Sequence, residues 1–181
     1  MLLNDVGLPA SGEGGFFDPL GLSEGIDDQK LNWYRAAELK HGRVCMVASL
    51  GLLIQGFGVA LPNPSFTETN GLSAIGKIWT ENPAALIQIV VSIAAVEVLC
   101  ASIDAAGTFD RPGDYGWDPA NIRPADEDKL DELQTKELKN GRLAMLATAG
   151  MLYQQSLTGQ GVIEQLATGH ISPFGDGQGI F

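Results

Sequence analysis

The segment "ELKHGRVCMVASLG", residues 38–51, sets charged and polar side chains directly against an apolar run. Ninety-nine positions later, residues 137–150 read "ELKNGRLAMLATAG", and eight of the fourteen aligned positions are identical. The duplication extends upstream, because "GGFFDPLGL" at 14–22 and "DYGWDPANI" at 114–122 both centre on an aromatic residue followed by Asp and Pro. The chain therefore contains an internal repeat, and one physical account has to serve both copies of the polar cluster.

Three stretches have the length and composition of transmembrane helices. Residues 84–103 form a run of twenty residues with one charged side chain, Glu97, and ~20 residues are needed to cross the hydrocarbon core of a bilayer. Two others, at about 31–58 and 130–157, reach this length only if each helix includes its charged start. The predicted fold class is an all-α membrane protein with three transmembrane helices.

The distribution of basic residues predicts how these helices are oriented. Of the eleven Lys and Arg side chains, Lys77 alone lies between the first and second spans, and none follows the third. Because basic residues concentrate on one side of a membrane, we expect the N-terminus and the 104–129 loop on that side and the C-terminus opposite. The first and third helices then run parallel, and the repeat makes them a crossed pair about a pseudo-twofold axis. Segments 71–79 and 161–169 have the apolar spacing of short amphipathic helices on the C-terminal side.

Charge and cysteine content exclude several function classes. The formal net charge of −11 is opposite to that of a nucleic-acid binder, which needs basic groups to replace phosphate counterions. Cys45 and Cys100 both lie in apolar stretches without the spacing of a zinc site or a disulfide framework. With two histidines in 181 residues and no nucleophile–base constellation or phosphate loop, the chain is not expected to be an enzyme.

The polar cluster predicts a clasp between the first and third helices. Glu38 and His41 share a helix face at i and i+3, whereas Arg43 is turned well away from Glu38. Twofold symmetry offers Arg43 another partner, Glu137, and pairs Arg142 with Glu38. Ionisable groups at membrane depth are costly unless they are paired. Small residues on both helices would let the backbones approach: Gly42, Ala48, Gly51, Gly141, Ala147 and Gly150.

A clasp alone does not require His41 or its counterpart Asn140. An imidazole, an amide oxygen and an arginine-paired carboxylate each offer a lone pair with no net charge left over. That suits the axial position of a magnesium ion already held in a neutral macrocycle. Hydrogen bonding between helices is the alternative that the spacing leaves open.

These motifs resemble the light-harvesting chlorophyll a/b- and a/c-binding antenna proteins, the three-helix antenna family of chloroplast thylakoids. The resemblance rests on Glu-x-x-His-Gly-Arg at 38–43, Glu-x-x-Asn-Gly-Arg-Leu-Ala-Met at 137–145 and the two leaders. It implies that the residues at the matching positions are chlorophyll magnesium ligands, with Arg43 and Arg142 as ion-pair partners between the helices: Glu38, His41, Glu97, Glu137, Asn140 and Gln154. Gln88, nine residues before Glu97, and His170 are further candidate ligands, and for Gln88 a hydrogen bond between helices is an equal alternative. His170 lies one residue after the family's position, so a surface histidine is an open alternative there.

The resemblance also implies a function and a location. It implies one antenna domain over residues 1–181, of the fucoxanthin–chlorophyll type found in red-lineage plastids. The expected cofactors are chlorophyll a, chlorophyll c or b, xanthophylls and bound lipid, and the only metal is chlorophyll magnesium. The leaders would hold the xanthophyll ends, at Asp18, Pro19, Asp118 and Pro119.

The expected location is the thylakoid membrane, with the N-terminus stromal and the C-terminus lumenal. The expected partners are a photosystem core, I in preference to II, and other antenna subunits. Two alternatives stay open. One is a photoprotective member of the same family that dissipates excitation. The other is a small transporter or channel built on a parallel repeat.

Overall fold

The computed structural model of the chain describes residues 20–21, 25–107 and 111–169. Within this part the structure is helical and contains no β-strand, which confirms the predicted helical class. The described helices are α1 (Asp28–Gly56), α2 (Gly71–Glu81), α3 (Pro83–Ala106), α4 (Glu127–Thr158) and α5 (Val162–Thr168), and a single 3-10 turn occupies Pro64–Phe66. α1 and α4 each begin three residues before the predicted span, because the polar residues 28–30 and 127–129 are also helical.

α3 is the one described helix that is both long enough and apolar enough to cross a membrane. Its most apolar window has a mean hydropathy of 2.3, and none of that window is buried within the protein. Pro83 occupies the first helical position, where a proline loses no helical hydrogen bond. A helix that is apolar on every side and exposed within the protein is suited to a hydrocarbon environment.

α1 and α4 each contribute to two compact units. Of the described residues, those within 20–44 and 100–143 belong to the first unit, and those within 45–99 and 144–169 belong to the second. In the first unit, the N-terminal halves of α1 and α4 meet at Gly42 and Gly141. A Cβ atom built on Gly42 would lie 2.9 Å from the Gly141 Cα, so glycine is required for this approach. Leu138 of α4 is only 2% exposed, which places the apolar centre of this unit beside the crossing.

The second unit is held by contacts of the two short helices with the C-terminal halves of α1 and α4. Asn70 caps α2 by accepting from the Leu72 and Ser73 amides, and its Nδ2 donates to the Gln155 carbonyl at 3.3 Å. The Gln155 side chain is 1% exposed and accepts from the Gly71 amide at 3.1 Å. These bonds fix the start of α2 on the end of α4.

α5 is attached to the second unit through two glycines. A Cβ on Gly56 of α1 would lie 2.8 Å from Ile163 Cγ1, and one on Gly161 would lie 2.8 Å from the Thr69 carbonyl oxygen. The predicted amphipathic segments 71–79 and 161–169 are thus both helical, as α2 and α5.

The prediction that Gly51 and Gly150 also serve the close approach of α1 and α4 is wrong. A Cβ at either position would meet nothing within 4 Å. Each lies nine residues after the crossing glycine of its helix, and nine residues rotate a helix by ~900°, or half a turn beyond two full turns. Gly51 and Gly150 therefore lie on the faces opposite to Gly42 and Gly141.

This difference predicts opposite effects of one substitution at two places on α1. Gly42→Ala should destabilise the protein by about 1–3 kcal/mol, since the new methyl group has to displace backbone atoms. Gly51→Ala, the matched control, should be neutral or stabilise by about 0.5–1 kcal/mol through helix propensity. Thermal unfolding followed by circular dichroism measures both. Equal melting temperatures for the two variants would contradict the crossing at Gly42.

Candidate functional site

Two ion pairs cross between α1 and α4 beside the glycine contact. Arg43 Nε donates to Glu137 Oε1 at 2.6 Å, and Arg142 Nε donates to Glu38 Oε1, also at 2.6 Å. Each arginine lies one residue after the crossing glycine of its own helix. Its side chain therefore reaches across to the other helix, where the glutamate lies four residues before the crossing glycine of that helix. Both glutamates are therefore paired with a guanidinium group from the opposite helix.

Glu38 has a second cationic partner that the sequence analysis missed. Arg35 Nη1 donates to Glu38 Oε2 at 2.8 Å within α1. The i, i+3 spacing in the sequence is the signal that would have found this pair. The repeat places Gln134 at the position equivalent to Arg35. The two glutamate sites consequently differ in charge: Glu38 has two guanidinium partners, whereas Glu137 has Arg43.

Arg43 is fixed by a second acceptor from the loop that follows α3. Its Nη1 donates to the Gly113 carbonyl at 2.7 Å. Gly113 is buried, has a φ of +73°, and a Cβ there would lie 3.1 Å from Leu39 Cδ1. The same loop brings the Tyr115 ring to 5.9 Å from Lys40 Nζ, and burial raises the pKa of the Tyr115 hydroxyl. The loop thus packs on α1 directly beside the ion pairs.

His41 and Asn140 use their hydrogens in the same way. His41 Nδ1 lies 2.7 Å from the Ala37 carbonyl oxygen, and Asn140 Nδ2 donates to the Lys136 carbonyl at 2.9 Å. Because a carbonyl can only accept, the His41 contact assigns the hydrogen to Nδ1 and leaves the Nε2 lone pair available. The Asn140 contact likewise leaves Oδ1 available. Both side chains are exposed, so each copy of the repeat presents one neutral acceptor outward.

Gln154 and its repeat counterpart Gln55 have different environments. Gln55 Nε2 donates to the Glu68 carbonyl at 2.6 Å, and its Oε1 faces the backbone at Gly71, so this amide holds the segment before α2. Gln154 is half-buried on α4, and its carbonyl accepts from the Thr158 hydroxyl. The two equivalent glutamines thus have different roles: Gln55 holds a neighbouring segment, and Gln154 is the predicted ligand. The sequence analysis did not extend the repeat to Gln55.

The remaining predicted site residues are distributed along the chain. Gln88 and Glu97 lie on the exposed surface of α3. Asp118 accepts from the backbone amides of Arg123 at 2.8 Å and Ile122 at 3.1 Å, which lowers the pKa of its carboxyl group. Pro119 follows in the same turn. Three predicted residues lie outside the part of the chain that the structure describes: Asp18, Pro19 and His170.

The donor set fits a metal that needs one protein ligand. A bare Mg²⁺ or Ca²⁺ ion takes several oxygen ligands, and the described residues contain no group of three or more His, Cys, Asp and Glu side chains that could hold an ion. Single, outward-facing acceptors such as His41 Nε2 and Asn140 Oδ1 instead match the axial position of magnesium in a macrocycle. In each side chain one donor hydrogen already bonds to a carbonyl of its own helix, which orients the acceptor atom outward.

The crossed glutamate–arginine pairs and the acceptors beside them lie in the two motifs that resemble those of the chlorophyll-binding antenna proteins. The model of the chlorophyll A-B binding protein family matches residues 5–156. The chain belongs to this family, so the prediction of a light-harvesting antenna protein that is not an enzyme is confirmed.

Three relatives show the breadth of the family around this chain. A chloroplastic fucoxanthin-chlorophyll a-c binding protein of Chattonella marina var. antiqua is 47% identical over 166 residues, which cover 91% of this chain and 75% of the relative. A chloroplastic chlorophyll a-b binding protein of Petunia hybrida is 36% identical, covering 83% and 61%. A light-harvesting complex stress-related protein of Chlamydomonas reinhardtii is 33% identical, covering 84% and 63%.

The unequal surroundings of the two glutamates predict unequal effects of removing the crossed arginines. Arg142→Leu leaves Glu38 bonded to Arg35, whereas Arg43→Leu leaves Glu137 with no cation bonded to it among the described residues. The cost of Arg43→Leu should be the larger of the two. It should stay below the ~3–5 kcal/mol of a fully buried pair, because the Arg43 and Glu137 side chains are 38% and 32% exposed.

A double variant separates pairing from packing. Adding Glu137→Gln to Arg43→Leu removes the stranded charge and should recover part of the lost stability. Reconstitution yield and melting temperature of the singles and the double provide the measurement. Equal losses for Arg43→Leu and Arg142→Leu, or no recovery in the double, would refute this account of the pairs.

Proposed function

We propose that this chain is a three-span thylakoid antenna that binds chlorophyll a, chlorophyll c and a xanthophyll of the fucoxanthin type. The observation that carries the proposal is the matched pair His41 and Asn140. Both occur at one repeat position, both bond their donor hydrogen to the carbonyl four residues earlier, and both direct an acceptor outward. Chlorophyll c is favoured over b because the fucoxanthin relative is named for chlorophylls a and c and covers most of this chain.

The roles of the residues follow from their contacts. His41, Asn140 and Gln154 would hold chlorophyll magnesium through neutral acceptors. Glu38 and Glu137 would do so as carboxylates whose charge is balanced by an arginine of the other helix. The proposed ligand set also includes Glu97 and Gln88 on α3, and His170. Bound chlorophylls and carotenoids supply light absorption and excitation transfer, and the chain supplies fixed separations and orientations.

The proposed ends of the xanthophylls lie at the two aromatic-Asp-Pro leaders. Both carboxylate oxygens of Asp118 accept from backbone amides. The Asp118–Pro119 turn would therefore contact the pigment end by packing, and the Asp118 carboxylate would not be its hydrogen-bond partner. We assign the same role to Asp18 and Pro19 from the repeat. Bound lipid would cover apolar surface that pigments leave exposed.

Three membrane spans are proposed from the lengths of the helices together with the charge pattern. α1, α3 and α4 contain 29, 24 and 32 residues, and at ~1.5 Å per residue each exceeds the ~30 Å of a bilayer core. The distribution of basic residues supports the proposal of a stromal N-terminus and a lumenal C-terminus. Residues 1–181 would then act as one antenna domain, beside other antenna subunits and a photosystem core, which we take to be photosystem I.

Harvesting is proposed over dissipation because two of the three described carboxylates on the proposed lumenal side, Glu68 and Glu164, already have structural partners. Glu68 pairs with Lys77 at 3.1 Å, and Glu164 Oε2 accepts from the Gly161 amide at 3.3 Å. The likeness to stress-related proteins makes dissipation a distinguishable outcome. A fluorescence lifetime of the reconstituted protein that shortens strongly between pH 7 and pH 5 would favour it. The transporter alternative has no support in the family to which the chain belongs.

Site-by-site ligation predicts discrete pigment losses. His41→Leu and Asn140→Leu, each reconstituted with chlorophyll a and a xanthophyll, should lose about one chlorophyll per protein, because each removes one axial acceptor. The matched control is Glu132→Gln, which breaks an exposed ion pair with Lys136 on α4. Pigment extraction and chromatography give the stoichiometry. Unchanged chlorophyll content in both ligand variants would contradict the proposal.

The proposed orientation has its own test. Epitopes are added at the N- and C-termini, and intact thylakoids are treated with protease from the stromal side. The N-terminal epitope should be removed and the C-terminal epitope should be protected until the membrane is opened with detergent. Loss of the C-terminal epitope in sealed thylakoids would overturn the three-span topology.

A further inference from the structure

Arg111 bonds to three side chains of α4. Its Nη1 donates to Asp131 Oδ1 at 2.5 Å and to Gln134 Oε1 at 2.8 Å, and its Nη2 bonds to Glu127. These acceptors lie on one face of α4, at i, i+4 and i+7. The Arg111 side chain is only 15% exposed. It therefore anchors the loop after α3 to the N-terminal part of α4.

Gly113, two residues further along, connects this anchor to the crossed ion pair. Its carbonyl accepts from Arg43 Nη1 at 2.7 Å, and its Cα is packed against Leu39 and Ala36 of α1. Pro112 between them has a fixed φ, which limits the freedom of this short link. The position of the Gly113 carbonyl is thus set by Arg111 on one side and by α1 on the other.

The consequence concerns the geometry of Arg43. An arginine side chain has several rotatable bonds, and a single bond to Glu137 leaves much of that freedom. A second acceptor, the Gly113 carbonyl, fixes the guanidinium plane. We propose that Arg111 is a positioning residue for the Glu137 pigment site, acting through Gly113 and Arg43; this inference rests on the proposed function.

The dependence is selective for one of the two crossed pairs. Glu38 accepts from Arg142 on one oxygen and from Arg35 on the other, and both of these guanidinium groups come from helices. The Glu38 site does not use the loop. Loss of Arg111 should therefore affect the pigment held by Glu137 and spare the one held by Glu38.

The test compares variants reconstituted with chlorophyll a and a xanthophyll, using absorption and circular dichroism spectra. Glu137→Leu and Glu38→Leu define the spectral signature of each pigment. Arg111→Leu should weaken binding of the Glu137 pigment about tenfold, the factor that corresponds to losing a charge-assisted hydrogen bond of ~1.4 kcal/mol. At limiting pigment the Glu137 signature should therefore fall, while the Glu38 signature stays in place. Lys129→Leu is the matched control, since it removes an exposed cation from the same part of α4.

Two further variants distinguish positioning from general stability. Arg111→Lys keeps a cation for Asp131 and Glu127 and should restore much of the Glu137 signature. In an Arg43→Leu background, Arg111→Leu should cause no further loss of that signature, because the connection is already broken. If the Arg111→Leu protein does not assemble with pigment, the Asp131→Asn variant is used in its place. That variant must also reduce the Glu137 signature.

Specific results would overturn the proposal. These are equal loss of both signatures in Arg111→Leu, an additive loss in the Arg43→Leu background, or an unchanged Glu137 signature in either Arg111→Leu or Asp131→Asn. A wild-type chain that takes up no chlorophyll would instead refute the proposed function, so the two failures are distinguishable.

Discussion

The contact between Gly42 and Gly141 is the constraint on which the functional site depends. The close approach at these glycines brings an arginine of each helix next to the glutamate of the other, and both crossed bonds measure 2.6 Å. The exchange of charges in turn opposes sliding or rotation of one helix against the other. His41 and Asn140 lie one residue before the crossing glycines. Their acceptor atoms are therefore held by the same contact, and two of the proposed ligand positions depend on one packing interaction.

The repeat is symmetric at this crossing and asymmetric away from it. Arg35 corresponds to Gln134, and Gln55 corresponds to Gln154, yet the members of each pair make different contacts. A strict repeat would give two equivalent pigment sites. The differences between the two copies give Glu38 a second cationic partner, Arg35. The arginine that pairs with Glu137 is instead bonded to the loop after α3. The shared motif thus determines the proposed ligands, and the residues that differ between the two copies determine the electrostatic surroundings of those ligands.

The sequence was sufficient to predict contacts that depend on the spacing of residues along a helix and on the repeat. It was insufficient to predict contacts that depend on the course of a loop. The crossed arginine–glutamate pairs follow from a five-residue spacing within a duplicated helix. Gly51 was assigned to the crossing from its size alone, although its phase places it on the opposite face. Arg35 could have been found from its spacing to Glu38. Arg111 could not, because its bonds to α4 depend on how the segment after α3 folds back, and no periodicity encodes that.

The distribution of buried apolar side chains indicates what stabilises the rest of the molecule. Among the described residues, few apolar side chains are buried, while many large apolar side chains on α1, α3 and α4 are exposed. At ~25 cal/mol per Å² of buried apolar surface, the crossing and the two short helices cannot supply a hydrophobic interior of usual size. Pigment rings and lipid chains are apolar bodies that fit those exposed faces. The proposed ligands would then do more than hold pigments in place: each coordinated macrocycle would cover apolar surface, so pigment binding and tertiary stability become parts of one equilibrium.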